Sequence, residues 1–371
     1  MSASVPHAPL LTVCIPCYNG AAYLGVVLEA LLPQAAAAGK EVEILVVDDG
    51  STDDTTDVVN SATRHGPFRY IRNDINLGMS KNIVSAMRHA SGEYVWVMSQ
   101  HNVFFPGALA RVLSALRSHS GIDAFYVNFR AANYPDQWPA AAVGGYAGAF
   151  HYLCKPDLAN RLLDRWEEVL DARTCVATQT YAHIIRRRLA TEFWKHHQIG
   201  RDFSNALDTY SQTCTVANIM FGRPAVYIGQ PVMTIYNGAQ TWGSLRLQAK
   251  VYLQSHPDLL DLFARLGWSG DRLAEAQALN GSRARTVIAQ LLSEWRGQEV
   301  RLVPKYLLRY AHQRGTAPAV WKALLDSRAP GLLLIGERSA RAADAAFQYL
   351  FHNWRPARWI RARGKSAPPR P

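Results

Sequence analysis

The sequence predicts an α/β fold: a mostly parallel sheet with helices on both faces. Short apolar runs rich in β-branched and aromatic residues alternate with stretches of helical spacing, and Gly, Pro, Asp and Asn punctuate the joins. A chain of 371 residues that is 49% hydrophobic and 19% charged can also bury a sizeable core, which excludes wholesale disorder.

In chain order, residues 10–15, 42–47, 68–71, 94–98 and 124–127 read as strands. Residues 22–34, 55–64, 79–89 and 107–119 read as the helices between them. Right-handed crossovers then make the sheet parallel, and ligands of such sheets gather at the carboxyl ends of the strands. Residues 130–145 lose periodicity and read as an irregular aromatic loop. Helical patterning returns at 155–169 and 205–220, strands follow at 225–228 and 232–235, and the chain then reads as almost wholly helical. We therefore expect two regions, an α/β domain over 1–244 and a helical, basic C-terminal region over 245–371.

The net charge of +11 favours anionic partners such as nucleoside diphosphates or acidic lipid headgroups. Residues 349–371 carry six Lys or Arg and no acid, interleaved with Phe351, Trp354 and Trp359. That pattern suits either peripheral contact with an anionic membrane or a solvated tail. No helix-turn-helix, zinc-finger or RNP-type signature accompanies the charge, so nucleic acid is not expected. No apolar run approaches the roughly 20 residues of a spanning helix, and the N-terminus lacks a basic leader; a cytoplasmic protein is expected. Five scattered cysteines do not form a disulfide framework, and Cys14 and Cys17 read as buried strand residues rather than a redox pair. His183, His196 and His197 sit among arginines and read as a solvated basic face.

The informative residues stand between strands and helices. The first strand runs into Pro16-Cys17-Tyr18-Asn19-Gly20, and the second into Asp48-Asp49-Gly50-Ser51-Thr52-Asp53. Tyr18 offers a ring on which a base can stack, and Asp49 an acceptor for a base imide or ribose hydroxyl. Ser51, Thr52 and Asp53 are equally suited to capping the following helix. In Asn76-Leu77-Gly78-Met79-Ser80-Lys81, Gly78 permits a tight backbone, and Lys81 lies on a first helical turn where a phosphate can bind. The fourth strand ends in Ser99-Gln100-His101-Asn102. Trp138, Tyr146 and Trp242 are candidates for stacking on sugar rings.

Residues 14–20 (CIPCYNG), 47–55 (VDDGSTDDT), Asn76-x-Gly78, and Gly92-Glu93-Tyr94 followed by an apolar strand and Pro106-Gly107-Ala108-Leu109 together resemble the family 2 inverting glycosyltransferases of GT-A fold. The resemblance covers about the first 120 residues. Residues 221–231, 236–239 and Trp242 are more loosely similar to abequosyltransferase-like members that decorate bacterial surface polysaccharides. The resemblance implies a nucleoside diphosphate sugar donor and an inverting transfer to a glycan or lipid-linked glycan. It also implies a nucleotide-sugar pocket lined by Pro16, Tyr18, Asn19, Asp48, Asp49, Ser51, Asn76, Gly78, Lys81, Gln100 and His101, with Trp138 and Trp242 toward the acceptor. The competing reading is a catalytically inactive nucleotide- or glycan-binding module.

Where the family carries an Asp-x-Asp for Mn2+ or Mg2+, this chain has Ser99-Gln100-His101. Three readings follow: His101 as a ligand to Mn2+, an imidazolium at His101 that neutralises the diphosphate without metal, or a site without turnover. The family's general base falls on a helix about a hundred residues further on. Asp208 is the first candidate here and Asp202 the second.

Overall fold

A computed structural model describes residues 8–134, 138, 152–171, 180–200, 202–237, 244–294, 302, 303, 305 and 306. The strands in chain order are β1 (Leu11–Cys17), β2 (Val42–Asp48), β3 (Arg69–Arg72), β4 (Tyr94–Val97), β5 (Val103–Phe104), β6 (Ala124–Val127), β7 (Arg130–Asn133), β8 (Tyr152–Leu153), β9 (Arg161–Leu163), β10 (His183–Arg186), β11 (Ala225–Ile228) and β12 (Met233–Asn237). The helices are α1 (Ala21–Ala38), α2 (Thr55–Ala62), α3 (Met79–His89), α4 (Ala108–Ser118), α5 (Arg187–His196), α6 (Ser211–Met220), α7 (Leu245–Lys250), α8 (His256–Arg265) and α9 (Asp271–Glu294).

Eight strands form the main sheet in the order β3-β2-β1-β4-β10-β6-β11-β9. The first four are parallel, and β10 enters antiparallel between β4 and β6. A smaller sheet, β5-β12-β7-β8, stands beside it. Strands β1 and β2 are buried along most of their length, which explains their continuous apolar runs: both faces of a parallel sheet are covered. Helix α1 buries Leu24, Val27, Leu28, Leu31, Leu32 and Ala35. Residues Ala21–Glu41 are long and apolar enough, by length and composition, to cross a membrane, although no unbroken apolar run marks them. The stripe at helical spacing contributes to the core beside the sheet instead.

Through residue 127 the expected strands and helices occur in the expected order, with one further strand, β5, between β4 and α4. Four later expectations are corrected. Residues 130–133 are not irregular loop but strand β7, which pairs parallel with β12. Residues 155–169 are not a helix: Arg161–Leu163 pair with β11, and the main chain of Trp166 donates to Arg223 O at 2.7 Å. Tertiary pairing overrode the local periodicity. The helix expected from residue 205 begins at Ser211, because a turn built on Asp208 occupies the preceding residues. His183 is not on a solvated face; it is fully buried in β10, whereas His196 and His197 are exposed. Cys14 and Cys17 are buried, free thiols whose pKa burial pushes far up, as fits strand residues.

Among the described residues no strand follows Asn237, and helices α7 to α9 come after it. By contact density the chain divides into two compact units, Met1–Asn280 and Gly281–Pro371. In the first, Leu259, Leu260 and Phe263 of α8 belong to the same apolar cluster as the sheet. In the second, Ala284, Val287, Ile288 and Leu291 are buried at helical spacing. The basic segment 349–371 lies outside the described residues.

One glycine fixes how β4 meets β1. Gly92 N donates to Thr12 Oγ1 at 2.8 Å, and a Cβ there would lie 2.5 Å from Thr12 N and 2.8 Å from Leu11 C. Backbone cannot yield as a side chain can, so Gly92→Ala should destabilise the fold by about 1–3 kcal/mol. Chemical denaturation measures this; an unchanged midpoint would contradict so close an approach.

Candidate functional site

The strand order places the site. Chain connections run outward from β1 to β2 and β3, then return to β4 on the other side of β1, so the order reverses between β1 and β4. A crevice at such a reversal, beyond the carboxyl ends of the strands, is where open α/β sheets bind ligands. The last main-chain bond there, Met98 N to Cys14 O at 2.7 Å, leaves Pro16–Gly20 and Ser99–Asn102 to part above it.

The four expected segments come together at this crest. Asp49 N donates to Cys17 O (2.8 Å), Asn19 N to Ser51 Oγ (2.9 Å) and Thr52 N to Asn19 Oδ1 (2.8 Å). Asn19 adopts φ +48°, a conformation asparagine tolerates. Asp53 accepts from Ala21 N at 3.1 Å and from Thr55 N at 3.1 Å, so it serves the starts of both α1 and α2. The capping alternative is thus realised for Asp53. Asn82, which has no role in the sequence reading, donates to Val47 O at 2.9 Å and ties α3 to the end of β2.

The two aspartates do different work from that expected. Asp48 is fully buried; Oδ1 accepts from Ser51 N (2.9 Å) and Ser51 Oγ (2.5 Å), and Oδ2 from the Tyr70 hydroxyl (2.7 Å). Asp49 is 1% exposed; Oδ1 accepts from Asn73 Nδ2 (2.8 Å) and Leu77 N (2.9 Å), and Oδ2 from Gly78 N (2.9 Å). In this structure Asp49 is therefore a fastener of the 76–78 loop, not an open acceptor for a base. Asn76 Oδ1 shares Gly78 N at 2.9 Å, and Gly78 takes φ +95°, which a side chain would strain. Tyr18 is an exposed aromatic residue at the crest, 42% accessible, while Ile75 and Leu77 are exposed in the neighbouring loop and Met79 at the start of α3. Pro16 is partly buried one step below it, and Lys81 is exposed on the first turn of α3.

Asp202 comes from 122 residues further on and occupies the N-terminus of α3. Oδ2 accepts from Met79 N at 2.9 Å and Oδ1 from Ser80 N at 3.3 Å. Burial raises its carboxyl pKa, with the Asp49 charge adding to the rise and the two amides opposing it. A phosphate at this helix start, expected from the placing of Lys81, would meet a carboxylate already there. Asp208 does not open a helix; its main-chain carbonyl accepts from Ser80 Oγ at 2.6 Å, beside the start of α3. It is 3% exposed, with Oδ1 accepting from Gly200 N (2.7 Å) and Oδ2 from Asn205 Nδ2 (2.7 Å) and the Ser204 hydroxyl. In this structure its carboxylate holds a turn together.

Gln100 lies across the crevice from Tyr18. Oε1 accepts from Tyr18 N at 2.9 Å, and Nε2 donates to Tyr18 O at 3.2 Å. The Ser99 hydroxyl lies 2.9 Å from His101 Nδ1, and burial lowers the His101 pKa from 6.5 to about 4. Burial thus disfavours the imidazolium in the free protein, which counts against the reading of His101 as a fixed positive charge. As for a divalent cation, the Ser99–Asn102 corner offers a hydroxyl, two amides and one neutral imidazole. The nearby carboxylates of Asp48 and Asp49 are already satisfied by main-chain and side-chain donors. Among the described residues no three His, Cys, Asp or Glu converge. Hard divalent ions prefer carboxylate oxygens, so these residues do not by themselves fit such an ion.

Beside His101 stands an aromatic group, to which the expected aromatic loop contributes Tyr134 and Trp138 and to which Tyr23 and Tyr236 are unexpected additions. Tyr23 is edge-on to His101 (5.8 Å between centroids), Tyr134 (5.3 Å) and Trp138 (5.5 Å), and Trp138 is edge-on to Tyr236 (4.7 Å). Trp138 thus packs within a wall of rings. Trp242 and Tyr146 lie outside the described residues.

Residues 12–142 match glycosyl transferase family 2. An uncharacterized Mycobacterium tuberculosis protein is 36% identical over 104 residues, 28% of this chain and 31% of that protein. The abequosyltransferase RfbV of Salmonella typhimurium is 30% identical over 115 residues, 30% of this chain and 34% of that protein. The matches therefore span about a third of these relatives' lengths. Among solved structures, S. aureus TarS 1–349 in complex with UDP aligns with TM-score 0.50 and 13% identity, covering 85% of this chain and 87% of that one. The fold is GT-A, and helices α7 to α9 follow its last described strand.

Two outcomes test this description. Asp208→Ala should lower stability by about 1–3 kcal/mol by leaving buried donors unpaired. Loss of function at unchanged melting temperature would instead return Asp208 to the chemistry. Burial also lowers the His183 pKa, from 6.5 to about 3. As pH falls below 6.5, the unfolded chain binds protons at His101 and His183 that the folded chain does not, so stability should decline between pH 7 and pH 5. His101→Gln should show a shallower decline by denaturant titration; an identical slope would contradict the buried, neutral ring.

Proposed function

We propose that this chain is a glycosyltransferase that moves a sugar from a nucleoside diphosphate donor, with inversion, to a glycan or lipid-linked glycan of bacterial surface polysaccharide. The reading rests on one observation. At the reversal of strand order the four motif segments are joined by hydrogen bonds into a crest, with the Tyr18 ring exposed upon it. The family match over residues 12–142 supports nucleotide-sugar chemistry, and the similarity to an abequosyltransferase supports a deoxyhexose or hexose as the group moved.

In this reading the base stacks on Tyr18, whose ring gives area without a hydrogen-bond demand. The ribose and diphosphate run along the crest toward Ser99–Asn102, and the acceptor approaches beside the wall of Tyr23, Tyr134 and Trp138. Inversion requires the acceptor hydroxyl to attack the anomeric carbon from the face opposite the diphosphate, through a transition state with oxocarbenium character. The bond to the diphosphate breaks, the nucleoside diphosphate leaves, and a carboxylate base, for which Asp208 and Asp202 are the candidates, takes the hydroxyl proton. The site's contribution is to align donor and acceptor and to exclude water. A cation bound together with the donor would draw ligands from the diphosphate itself, because the protein supplies few.

The test is hydrolysis and transfer measured across UDP-, GDP-, dTDP- and CDP-sugars. The wild type should turn over at least one of them, and Tyr18→Ala should reduce kcat/KM about tenfold or more, the loss expected for one stacking contact of 1–3 kcal/mol. Binding of nucleotides without turnover of any donor would favour the non-catalytic module. Equal activity in Tyr18→Ala would remove the stacking face from the site.

A further inference from the structure

We infer that Gln100 is a positioning residue for the nucleotide crevice, and that Gly20 is a glycine in order to leave room for it. The inference rests on the crevice being a nucleotide site. Beyond Met98 and Cys14 the strands β1 and β4 no longer pair, and Gln100 continues the ladder with its side chain. Its carboxamide presents an acceptor and a donor to the N–H and C=O of a single residue, Tyr18, at 2.9 and 3.2 Å. Two bonds to one residue fix the Tyr18 main chain where one would leave it free to pivot. One acceptor site and one donor of the amide are thereby engaged by the protein, so Gln100 shapes the nucleotide site through the Tyr18 main chain.

Gly20 supplies the second, independent observation. Its backbone, φ −99° and ψ 9°, is open to residues with a side chain, so conformation does not demand glycine. A Cβ there would lie 2.7 Å from Gln100 Oε1, 3.1 Å from Cδ and 3.6 Å from Nε2, the three nearest atoms. All three belong to the carboxamide that holds Tyr18. An alanine at residue 20 would therefore displace the same group that deletion of Gln100 removes. Tyr18, by contrast, keeps its ring exposed while its main chain is held from the opposite strand.

The test is a double-mutant cycle with uridine diphosphate as the probe, or whichever of GDP, dTDP, CDP and ADP the wild type binds most tightly, followed by calorimetry. Gln100→Ala should weaken binding about tenfold, as fits the loss of two hydrogen bonds. Gly20→Ala should weaken it to a similar degree, and the double variant should be no weaker than either single one. Gln100→Glu keeps the size but loses the donor to Tyr18 O, and it should also weaken binding while folding normally. A role in folding alone would move the melting temperature and leave affinity unchanged. Unchanged or tighter binding in Gln100→Ala, or losses that multiply in the double variant, would overturn the inference while leaving the nucleotide site intact. Failure of the wild type to bind any of the five nucleotides would overturn the inference together with the reading on which it rests.

Discussion

Two adjacent carboxylates at the end of β2 hold the crest of this molecule in shape. Asp48 and Asp49 are both buried; Asp48 has one cation near it, Arg72 with Nε at 3.9 Å, too far for a hydrogen bond. What stabilises them is hydrogen bonding, three donors to each from Ser51 and Tyr70 on one side and from Asn73, Leu77 and Gly78 on the other. Removing such a partner leaves a buried charge uncompensated, which costs far more than a surface contact. The loops after β1, β2 and β3 are consequently fixed relative to one another before any ligand arrives. A crevice of this kind is preorganised rather than assembled on binding.

The fourth loop is held by different chemistry. Ser99-Gln100-His101 carries no carboxylate, and burial lowers the pKa of its ring. It therefore adds no negative charge to attract a divalent ion. Its polar groups turn inward, Gln100 toward Tyr18 and Ser99 toward His101. The charge of the crest thus comes from the loops after β2 and β3, where Asp48 and Asp49 are buried, with exposed Lys81 on α3 and the Asp202 carboxylate at that helix's start beside them.

The parallel half of the fold was legible because its strands are buried on both faces and its turns use residues with specific conformational duties. Asn19, Gly50 and Gly78 all take positive φ at the joins. The later half was less so. Strand β10, HIIR followed directly by a helix, gives no turn signal, and its insertion between β4 and β6 is a property of the assembled sheet. Residues 155–169 carry helical spacing that pairing with β11 overrode. At the site, residue type located the motif segments but not the direction of their side chains. Asp49 reads as a ligand acceptor and proves a loop fastener. Asp208 reads as a base, and the structure shows its carboxylate at the centre of a turn. Asp202 reaches α3 across 122 residues, a contact that no local pattern announces.

The crest as a nucleotide site is the claim from which the rest follows, and amide hydrogen exchange with and without uridine diphosphate tests it most directly. The account predicts that protection rises at residues 17–20, 49–52, 76–80 and 99–102 together, with the remainder of the sheet unaffected. Protection confined to other parts of the chain, or none with any of the common nucleoside diphosphates, would contradict it.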